Sequence, residues 1–534
     1  KLDTLFGELE FKNILNRLKN TFYLSNNENK IAKTKNNIGL QTDLFSQIEE
    51  SNTSANQLKN HFSKQIIIQN IEGLINFKKQ LQNHKKISFH CIKNNQDKYV
   101  LCFSFDAQTT FILKENNQEI TIKIIKDFVE DLFLIDIEKI CYDFKNLWKV
   151  LDFNFEFIVN PNMFDLMLAA YIVNPDERNS HNILIKRILN IDVQPHQKIH
   201  EEQDSYLSNL AVLNFKIQEE QIKTLGLSNT LDVFKEIEMP LIFILFKMEQ
   251  EGFSLNRETL SQFSKKLKSE IAEIQAGVFK ISGKEFNISS PKQLGDVLFL
   301  DLKLDKNAKK TKTGQFSTSE QNLQRLKSTH PIIELVLKYR SLEKLFSTYV
   351  EALPNLINIK TNKIHTTFNQ AIAATGRLSS KEPNLQNIPI RTKYGREIRR
   401  AFVPSNGNIL LAADYSQIEL RLIAEFSSEP TMTQAFLEDK DIHSMTASKL
   451  FNLPFEDITR EMRSNAKTVN FGIIYGVSAF GLSQQTNLNR KESAALINTY
   501  FEKYKKLKTY MNHQIAFARE NGYVETILGR KRYL

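Results

Sequence analysis

The sequence predicts a multidomain protein in which an α/β domain is followed by parts of α+β character. Its 534 residues are too many for a single hydrophobic core. Between residues 63 and 225, short β-like runs such as KISFHCI precede amphipathic helical stretches such as MFDLMLAAYIV, a pattern typical of α/β domains. From about residue 228 the pattern is mainly helical, and a strand signal returns at GNILLAADYS.

Two short segments precede the predicted α/β domain. Residues 1–20 contain an amphipathic pattern that predicts one helix or two helical turns. Residues 21–62 are polar and nearly lack a repeated apolar period. This composition predicts a linker.

The composition favours a cytoplasmic protein with no membrane partner. The sequence has no apolar run of about 18 residues and no charged-then-apolar leader. Its cysteines, Cys91, Cys102 and Cys141, lack metal-ligand spacing and are predicted to be small core residues. The net charge of +10 is compatible with a nucleic-acid partner, although biased codon usage explains it equally well.

A basic run, KNAKKTKTG at residues 306–314, predicts a loop because it has no apolar face. Two interpretations of this loop remain open. It is either a solvated surface loop or a contact to the phosphates of a nucleic-acid backbone.

The segment LLAADYSQIELR, residues 410–421, contains the first candidate functional residue, Asp414. Its small and aliphatic residues predict a buried strand that ends at Asp414, and the following apolar pattern predicts a helix. An acidic residue at this point is either a helix cap or a functional carboxylate.

The segment RSNAKTVNFGIIYG, residues 463–476, contains the second set of candidate functional residues. Arg463, Lys467, Phe471 and Tyr475 recur every four residues, so on a helix they form one stripe that spans roughly 18 Å. Two cations at one end suit phosphates, and two aromatic rings at the other suit a base. Gly476 predicts the end of this helix.

These two segments resemble motifs A and B of family A DNA polymerases of the bacterial DNA polymerase I type. The resemblance covers residues from about 228 to the end and extends more weakly to residue 1. It is also carried by further segments of the sequence: IEMPL, FNISSPKQLG, STSEQNL, YRSLEKLFSTY, ATGRLSSKEPNLQNIPIR and GREIRRAFVP.

The resemblance implies an order of domains along the chain. Residues 1–20, with LFGELEFKNIL, look like the end of a 5′-nuclease domain, and residues 63–225 look like an RNase H-like 3′–5′ exonuclease domain. A right-hand polymerase would occupy residues 228–534. Its expected parts are palm at 228–253 and 351–428, thumb at 254–350, and fingers at 429–534, with the C-terminal part of the palm missing.

The resemblance also implies roles for individual residues in template-directed, Mg²⁺-dependent addition of dNTPs to a primer, in replication and repair. Asp414 would hold Mg²⁺ together with the Tyr415 carbonyl, and Glu419 would exclude a 2′-hydroxyl. Arg463 and Lys467 would hold the triphosphate, Phe471 would pack on the incoming nucleotide, and Tyr475 would lie near the template base. Further contacts are implied for the triphosphate by His443 and Gln417, and for primer-template DNA by Arg377, Gln386, Asn387 and Arg391. A monomer is expected.

Two departures from the family pattern bear on activity. The second metal-binding carboxylate is expected in a V-H-D-E turn downstream of GYVETILGR, and the sequence stops at Leu534 before such a turn. The sequence is therefore expected to hold half of the metal site.

The second departure is in the exonuclease-like domain. The expected acidic positions fall on His90, Ile92, Leu147 and Leu210. A rival alignment places the first nuclease motif on FSFDAQT, which keeps Asp106 as one acidic residue but has Gln108 in place of the paired Glu. This alignment is disfavoured because YVLCFSF fits the next strand. Since leucine cannot bind Mg²⁺, we expect this domain to lack nuclease activity.

Two alternatives to a DNA polymerase remain. A single-subunit RNA polymerase shares the Asp strand and the Arg/Lys/Tyr helix, but it would not need the gate predicted at Glu419. A DNA-binding module without catalysis is the other alternative. It gives no reason to keep Asp414, Lys467 and Tyr475 together.

Overall fold

The computed structural model describes residues 61–534, except 95, 117, 153–161, 178, 194–202, 391 and 487. The predicted helix at 1–20 and nearly all of the predicted linker at 21–62 lie outside the described residues. Within the described ranges, no helix is long and apolar enough to cross a membrane.

The first part of the described chain is an α/β domain around a six-stranded sheet. Its strands are β1 (Lys64–Ile68), β2 (Lys86–Lys93), β3 (Tyr99–Ser104), β4 (Thr109–Lys114), β5 (Glu138–Cys141) and β6 (Met163–Asp165). They lie in the order β1-β4-β3-β2-β5-β6. The central strands β2, β3 and β4 pair antiparallel, whereas β5 and β6 continue the sheet in parallel with β2.

Helices cover this sheet because its strands are apolar on both faces. They are α1 (Ile71–Leu81), α2 (Ile122–Leu134), α3 (Phe144–Val150), α4 (Leu166–Val173), α5 (His181–Leu189) and α6 (Gln203–Leu227). All residues of β3 are buried, and α6 packs across β2, β3 and β4. The three cysteines are buried and unpaired, which confirms that they are core residues.

The next part is mainly helical. Its helices are α7 (Met239–Glu251), α8 (Arg257–Ser282), α9 (Pro291–Asp296), α10 (Glu320–Arg325), α11 (Pro331–Leu345), α12 (Ala352–Asn355) and α13 (Lys393–Arg400), with π-helical segments at Val233–Glu238, Val297–Asp301 and Phe346–Glu351. Its short strands are β7 (Phe253–Leu255), β8 (Lys363–Ile364), β9 (Thr367–Asn369), β10 (Ser379–Lys381) and β11 (Phe402–Val403). They form a sheet of β11, β7 and β8 and a separate β9-β10 pair.

The last part is again helical and ends in a hairpin. Its elements are α14 (Ile418–Ser427), α15 (Pro430–Leu437), α16 (Ile442–Phe451), a 3₁₀ turn (Phe455–Asp457), α17 (Arg460–Ile474), α18 (Ala479–Ser483), α19 (Arg490–Lys503), α20 (Lys505–Asn521), β12 (Tyr523–Glu525) and β13 (Lys531–Tyr533). The mixed α/β content predicted from the sequence is therefore confirmed.

Each of the three parts has its own hydrophobic core. One core extends from Ile68 to Phe246 and includes the six-stranded sheet. A second lies mainly between α8 and α11, and a third surrounds α14, α16 and α17. A chain of this length buries its apolar side chains in several cores because one core cannot grow indefinitely.

The buried strand predicted before Asp414 is not formed. Residues 408–415 have no strand partner and are exposed, and Leu411 is 88% accessible. A strand is stable only when its backbone groups pair with a neighbouring strand. Apolar composition favoured a strand here, but the described residues supply no partner for it.

Candidate active site

Helix α17 presents the predicted stripe along one face of a cavity. Its N-cap Thr459 accepts a hydrogen bond from the Met462 N–H, and its inner face buries Ala466, Val469 and Ile473. The helix ends at Ile474, and Gly476 follows with a φ of 70°. The predicted helix and the predicted stop are therefore confirmed.

The cavity beside α17 has a volume of about 660 Å³, within the usual range for small-molecule sites. Arg463, Lys467, Phe471 and Tyr475 all line it. The four-residue spacing thus places cations and aromatic rings in one cavity. An elongated ligand with an anionic end and a flat end would match this arrangement.

The two cations of the stripe differ in their partners. Arg463 makes a bidentate pair with Asp441, with Nε–Oδ2 and Nη2–Oδ1 distances of 2.6 and 3.1 Å. Lys467 is exposed and forms no ion pair within the described ranges. The ammonium group of Lys467 is therefore the cation more available to an anionic ligand.

Asp441 is a functional candidate that sequence reasoning missed. Burial by itself would raise the pKa of this carboxyl, but hydrogen bonds from Arg463 and Ser444 outweigh burial and lower the pKa to about 2. Asp441 also caps helix α16 by accepting from the His443 and Ser444 N–H groups. It therefore fixes both the start of α16 and the direction of the Arg463 guanidinium. The pairing depends on contact between two helices, which sequence spacing did not reveal.

His443 lies beneath the stripe and does not line the cavity. Its side chain is buried, its ring centroid is 5.8 Å from that of Phe471, and Asn470 Nδ2 donates to its Nδ1 over 3.1 Å. Burial lowers the pKa of His443 to about 4; the neighbouring Asp441 carboxylate opposes this effect, and the Arg463 and Lys467 cations add to it. The ring is therefore neutral at pH 7 and carries its proton on Nε2. In this position the ring packs against Phe471, and the contact to the triphosphate expected from the sequence stays a prediction.

Three predicted site residues from separate segments meet at the other end of the stripe. The Tyr475 hydroxyl donates to Glu419 Oε1 over 2.6 Å, and Arg377 Nη2 donates to the same oxygen over 3.1 Å. Arg377 Nη2 also lies 3.0 Å from the Tyr475 hydroxyl. The hydrogen bond to Glu419 raises the pKa of Tyr475, so the phenol stays protonated.

Asp414 does not cap the helix that follows it. Helix α14 begins at Ile418, and its N-cap is Gln417, which has a φ of 54°. The Asp414 carboxylate is exposed and forms no ion pair or side-chain hydrogen bond within the part of the chain that the structure describes. Of the two interpretations left open by the sequence, the helix cap is excluded.

The surroundings of Asp414 could provide part of a metal site. An exposed carboxylate and an adjacent backbone carbonyl, that of the exposed Tyr415, are oxygen ligands that suit Mg²⁺. Among the described residues, no group of three or more acidic, His or Cys side chains is placed to hold a metal ion. Gln417 lies nearby, and its buried Oε1 has no hydrogen-bond partner in this structure.

The residues predicted to contact DNA follow β9 and β10. Arg377 joins Glu419 and Tyr475 at the aromatic end of the stripe. Gln386 accepts the Ser380 N–H over 2.9 Å, which fixes the loop after β10, and Asn387 is exposed. Arg391 lies outside the described residues.

In the α/β domain, the positions expected to carry nuclease acids are filled by core or strand residues. His90 and Ile92 lie on β2, and Leu147 and Leu210 are buried. Asp106 lies in the turn between β3 and β4, where its Oδ1 accepts the Gln108 and Thr109 N–H groups. That turn follows β3, Tyr99–Ser104. The alternative alignment, which would make Asp106 a nuclease carboxylate, therefore puts this residue in a turn where it caps backbone N–H groups.

Sequence reasoning missed a carboxylate pair at a second cavity, of about 440 Å³, between α3, α4 and β9. Asp143 and Asp165 line it together with Lys145 and Lys149. Burial, and then repulsion from Asp143, raises the pKa of Asp165 to about 7. Asp165 also caps α4 and accepts the Phe144 N–H, so hydrogen bonds within the fold occupy this carboxylate.

The arrangement around α17 can be compared with known proteins. A family model described as DNA polymerase family A matches residues 257–534. The chain belongs to this family. The matched residues include Asp414, Arg377 and the whole stripe of α17.

Curated relatives and a solved structure agree with this membership. The chain is 40% identical to DNA polymerase I of Caldicellulosiruptor bescii over 437 residues, which cover 81% of this chain and 50% of that protein. It is 45% identical to the thermostable DNA polymerase I of Thermus aquaticus over 309 residues, 58% of this chain and 37% of that protein. The chain spans at most about half the length of these relatives.

The solved structure is the POL domain of Pol1 from M. smegmatis in complex with DNA primer-template and dNTP. It superimposes with a TM-score of 0.76 and 30% identity, and the match covers 88% of this chain and 82% of that one. The family A polymerase fold, with mixed α/β content, therefore applies to this chain.

Proposed function

We propose that this protein is a template-directed DNA polymerase that adds dNTPs to a primer 3′ end. The observation that carries the proposal is the cavity beside α17, where Arg463, Lys467, Phe471 and Tyr475 form one lining. Membership of DNA polymerase family A supports it, as does the likeness to a domain solved with primer-template and dNTP.

In the proposed complex, the triphosphate lies at the Arg463 and Lys467 end of the cavity. Lys467 would move toward the phosphates without first breaking an ion pair in the described structure. Arg463 is already oriented by Asp441 and can offer its remaining N–H groups. Such preorganised cations stabilise charge that develops during phosphoryl transfer.

The sugar and base of the nucleotide would lie toward the aromatic end. Phe471, backed by His443, offers a face for the nucleotide. Tyr475 is held by Glu419 and Arg377, and the Glu419 carboxylate is proposed to exclude a 2′-hydroxyl at this end. This gate favours a DNA polymerase over the RNA polymerase alternative.

Asp414 and the Tyr415 carbonyl are proposed as ligands of Mg²⁺. Bound Mg²⁺ would activate the primer 3′-hydroxyl and stabilise the leaving pyrophosphate in an in-line displacement. The proposal requires a second carboxylate; among the described residues, no group of three or more acidic, His or Cys side chains is placed to hold a metal ion. We further propose that the protein acts in replication and repair as a cytoplasmic monomer.

Primer extension with the full-length protein tests the proposed function. Product should require primer, template, dNTPs and Mg²⁺ together. Tight duplex binding without any extension would instead favour a DNA-binding module.

The resemblance makes a specific prediction for Phe471. In polymerases of this type, Phe at this position goes with discrimination against dideoxynucleotides and Tyr with their acceptance. Phe471 lines the cavity and is partly buried. We expect Phe471→Tyr to incorporate dideoxynucleotides at least about tenfold better relative to dNTPs, a difference of about 1.4 kcal/mol. The physical reason is that the phenolic hydroxyl can supply the polar interaction that a dideoxynucleotide, without a 3′-hydroxyl, does not make.

Competition between ddNTP and dNTP in a single-nucleotide assay measures this selectivity. Phe480→Tyr is a matched control, since Phe480 is an exposed phenylalanine of α18 and does not line the cavity beside α17. Equal selectivity in wild type and Phe471→Tyr would mean that Phe471 does not contact the sugar.

We also propose that the α/β domain has no 3′–5′ nuclease activity. Leu147 and Leu210 are buried hydrocarbon side chains and cannot bind a metal ion. Asp165 is only 1% accessible and already accepts backbone hydrogen bonds. A two-metal nuclease needs several accessible carboxylates.

We expect a mispaired primer terminus, offered with Mg²⁺ or Mn²⁺ but without dNTPs, to remain untrimmed. The measurement is release of the terminal nucleotide from 3′-labelled mismatched DNA, with Asp143→Asn and Asp106→Ala run beside the wild type. Metal-dependent release that disappears in either variant would show a surviving nuclease site and would identify its carboxylate.

A further inference from the structure

The α/β domain contacts the mainly helical part that follows it at a loop that carries Arg377. Residues 370–378 connect β9 to β10 and have no regular secondary structure. At the far end of this loop, Arg377 reaches Glu419 and Tyr475. The direction of this side chain therefore depends on what holds the loop.

Tyr171 of helix α4 holds the loop from the α/β side. Its hydroxyl donates to the Ala373 carbonyl over 2.6 Å, and the same carbonyl accepts the Gly376 N–H over 3.1 Å. Tyr171 is 1% accessible. One carbonyl thus joins helix α4 of the α/β domain to the turn that precedes Arg377.

Arg530 holds the same turn from the β12–β13 hairpin. Its guanidinium carbon lies 5.9 Å from the centroid of the Tyr171 ring, and it pairs with the buried Glu238. Gly376 has a φ of 81°, and a Cβ atom there would lie 2.8 Å from Arg530 Nε. The turn therefore packs directly on the Arg530 side chain.

Glu238 connects Arg530 to the start of the loop. Its second oxygen accepts from Gln370 Nε2 over 2.6 Å, and its carbonyl accepts from the same nitrogen over 3.1 Å. The hairpin is also tied to the α/β domain by an Arg532–Asp176 ion pair. Both ends of the turn are thus fixed by groups that do not line the cavity beside α17.

We propose that Tyr171 and Arg530 are positioning residues that act through Arg377. They hold the Ala373–Gly376 turn so that Arg377 meets Glu419 and Tyr475 at the aromatic end of the nucleotide cavity. The α/β domain then contributes to nucleotide addition through this contact, without any catalytic group of its own. This inference rests on the proposed polymerase function.

Tyr171→Phe in the full-length protein tests the inference, because it removes the hydroxyl and retains the ring. We expect the single-turnover rate of nucleotide addition to fall about fivefold, with primer-template affinity changed by less than about twofold, the size of effect typical of removing one hydrogen bond. Tyr142→Phe is the matched control. Its hydroxyl donates to the Asn179 carbonyl within the α/β domain, and the rate should stay at the wild-type value.

A double-mutant cycle separates positioning from general stability. In an Arg377→Ala background, Tyr171→Phe should slow nucleotide addition by less than about twofold. The effects of two substitutions are not additive when one residue acts through the other. The same fivefold loss in that background, or no loss in the wild-type background, would overturn the inference. A wild-type protein that extends no primer would contradict the proposed function itself, which is a distinguishable result.

Discussion

Asp414→Asn should nearly abolish nucleotide addition by the full-length protein. Asn retains the shape of the side chain but lacks the negative charge that a Mg²⁺ ligand supplies. Losing a metal ligand removes about 4 kcal/mol of transition-state stabilisation, so we expect roughly a thousandfold slower addition or worse. Because the carboxylate is exposed and unpaired in the described structure, the exchange should leave the fold and duplex binding nearly unchanged.

Single-turnover primer extension measures this effect, and equilibrium binding to primer-template measures the control. Asp457→Asn removes the same charge from an exposed residue of the 3₁₀ turn and should keep wild-type activity. If Asp414→Asn kept more than about a tenth of the wild-type rate, a loss below about 1.4 kcal/mol, then Asp414 would not be a metal ligand.

Lys467→Ala should give the second largest loss. We expect kcat/KM for the nucleotide to fall roughly 30- to 150-fold, about 2–3 kcal/mol, because charge-assisted hydrogen bonds to phosphate are stronger than neutral ones. Both KM and kcat should change, since in the proposed complex the cation would face the triphosphate in the ground state and in the transition state. Primer-template affinity should change little.

Steady-state kinetics over a range of dNTP concentrations separates the two parameters. Lys491→Ala, at the exposed start of α19, is the matched control and should have wild-type kinetics. Normal nucleotide kinetics in Lys467→Ala, combined with weaker and less salt-dependent DNA binding, would mean that Lys467 contacts the phosphates of the DNA backbone instead.

Local patterns were sufficient to predict α17. The four-residue recurrence from Arg463 to Tyr475 and the stop at Gly476 depend only on helix geometry and on the conformational freedom of glycine. The structure adds that these side chains line one cavity. The partner of Arg463 was not predictable in this way, because Asp441 reaches the stripe from the start of α16, through a contact between helices that sequence spacing does not encode.

The segment before Asp414 shows the opposite case. Its apolar residues predicted a buried strand, yet Leu410 and Leu411 are exposed. Strand formation depends on pairing with another strand, whereas helix formation satisfies its hydrogen bonds within one segment. The same reasoning explains why the pair of Asp143 and Asp165 was not predicted. These residues become neighbours only when α3 and β6 pack together.

Single-nucleotide addition on four templates tests the central proposal most directly. The full-length protein would receive primer-templates that differ only in the templating base, each with one dNTP or the matching rNTP. The proposed function predicts addition of the complementary dNTP on each template and poor use of the rNTP. Addition that ignored the template base, or that used rNTPs as well as dNTPs, would contradict a template-directed DNA polymerase.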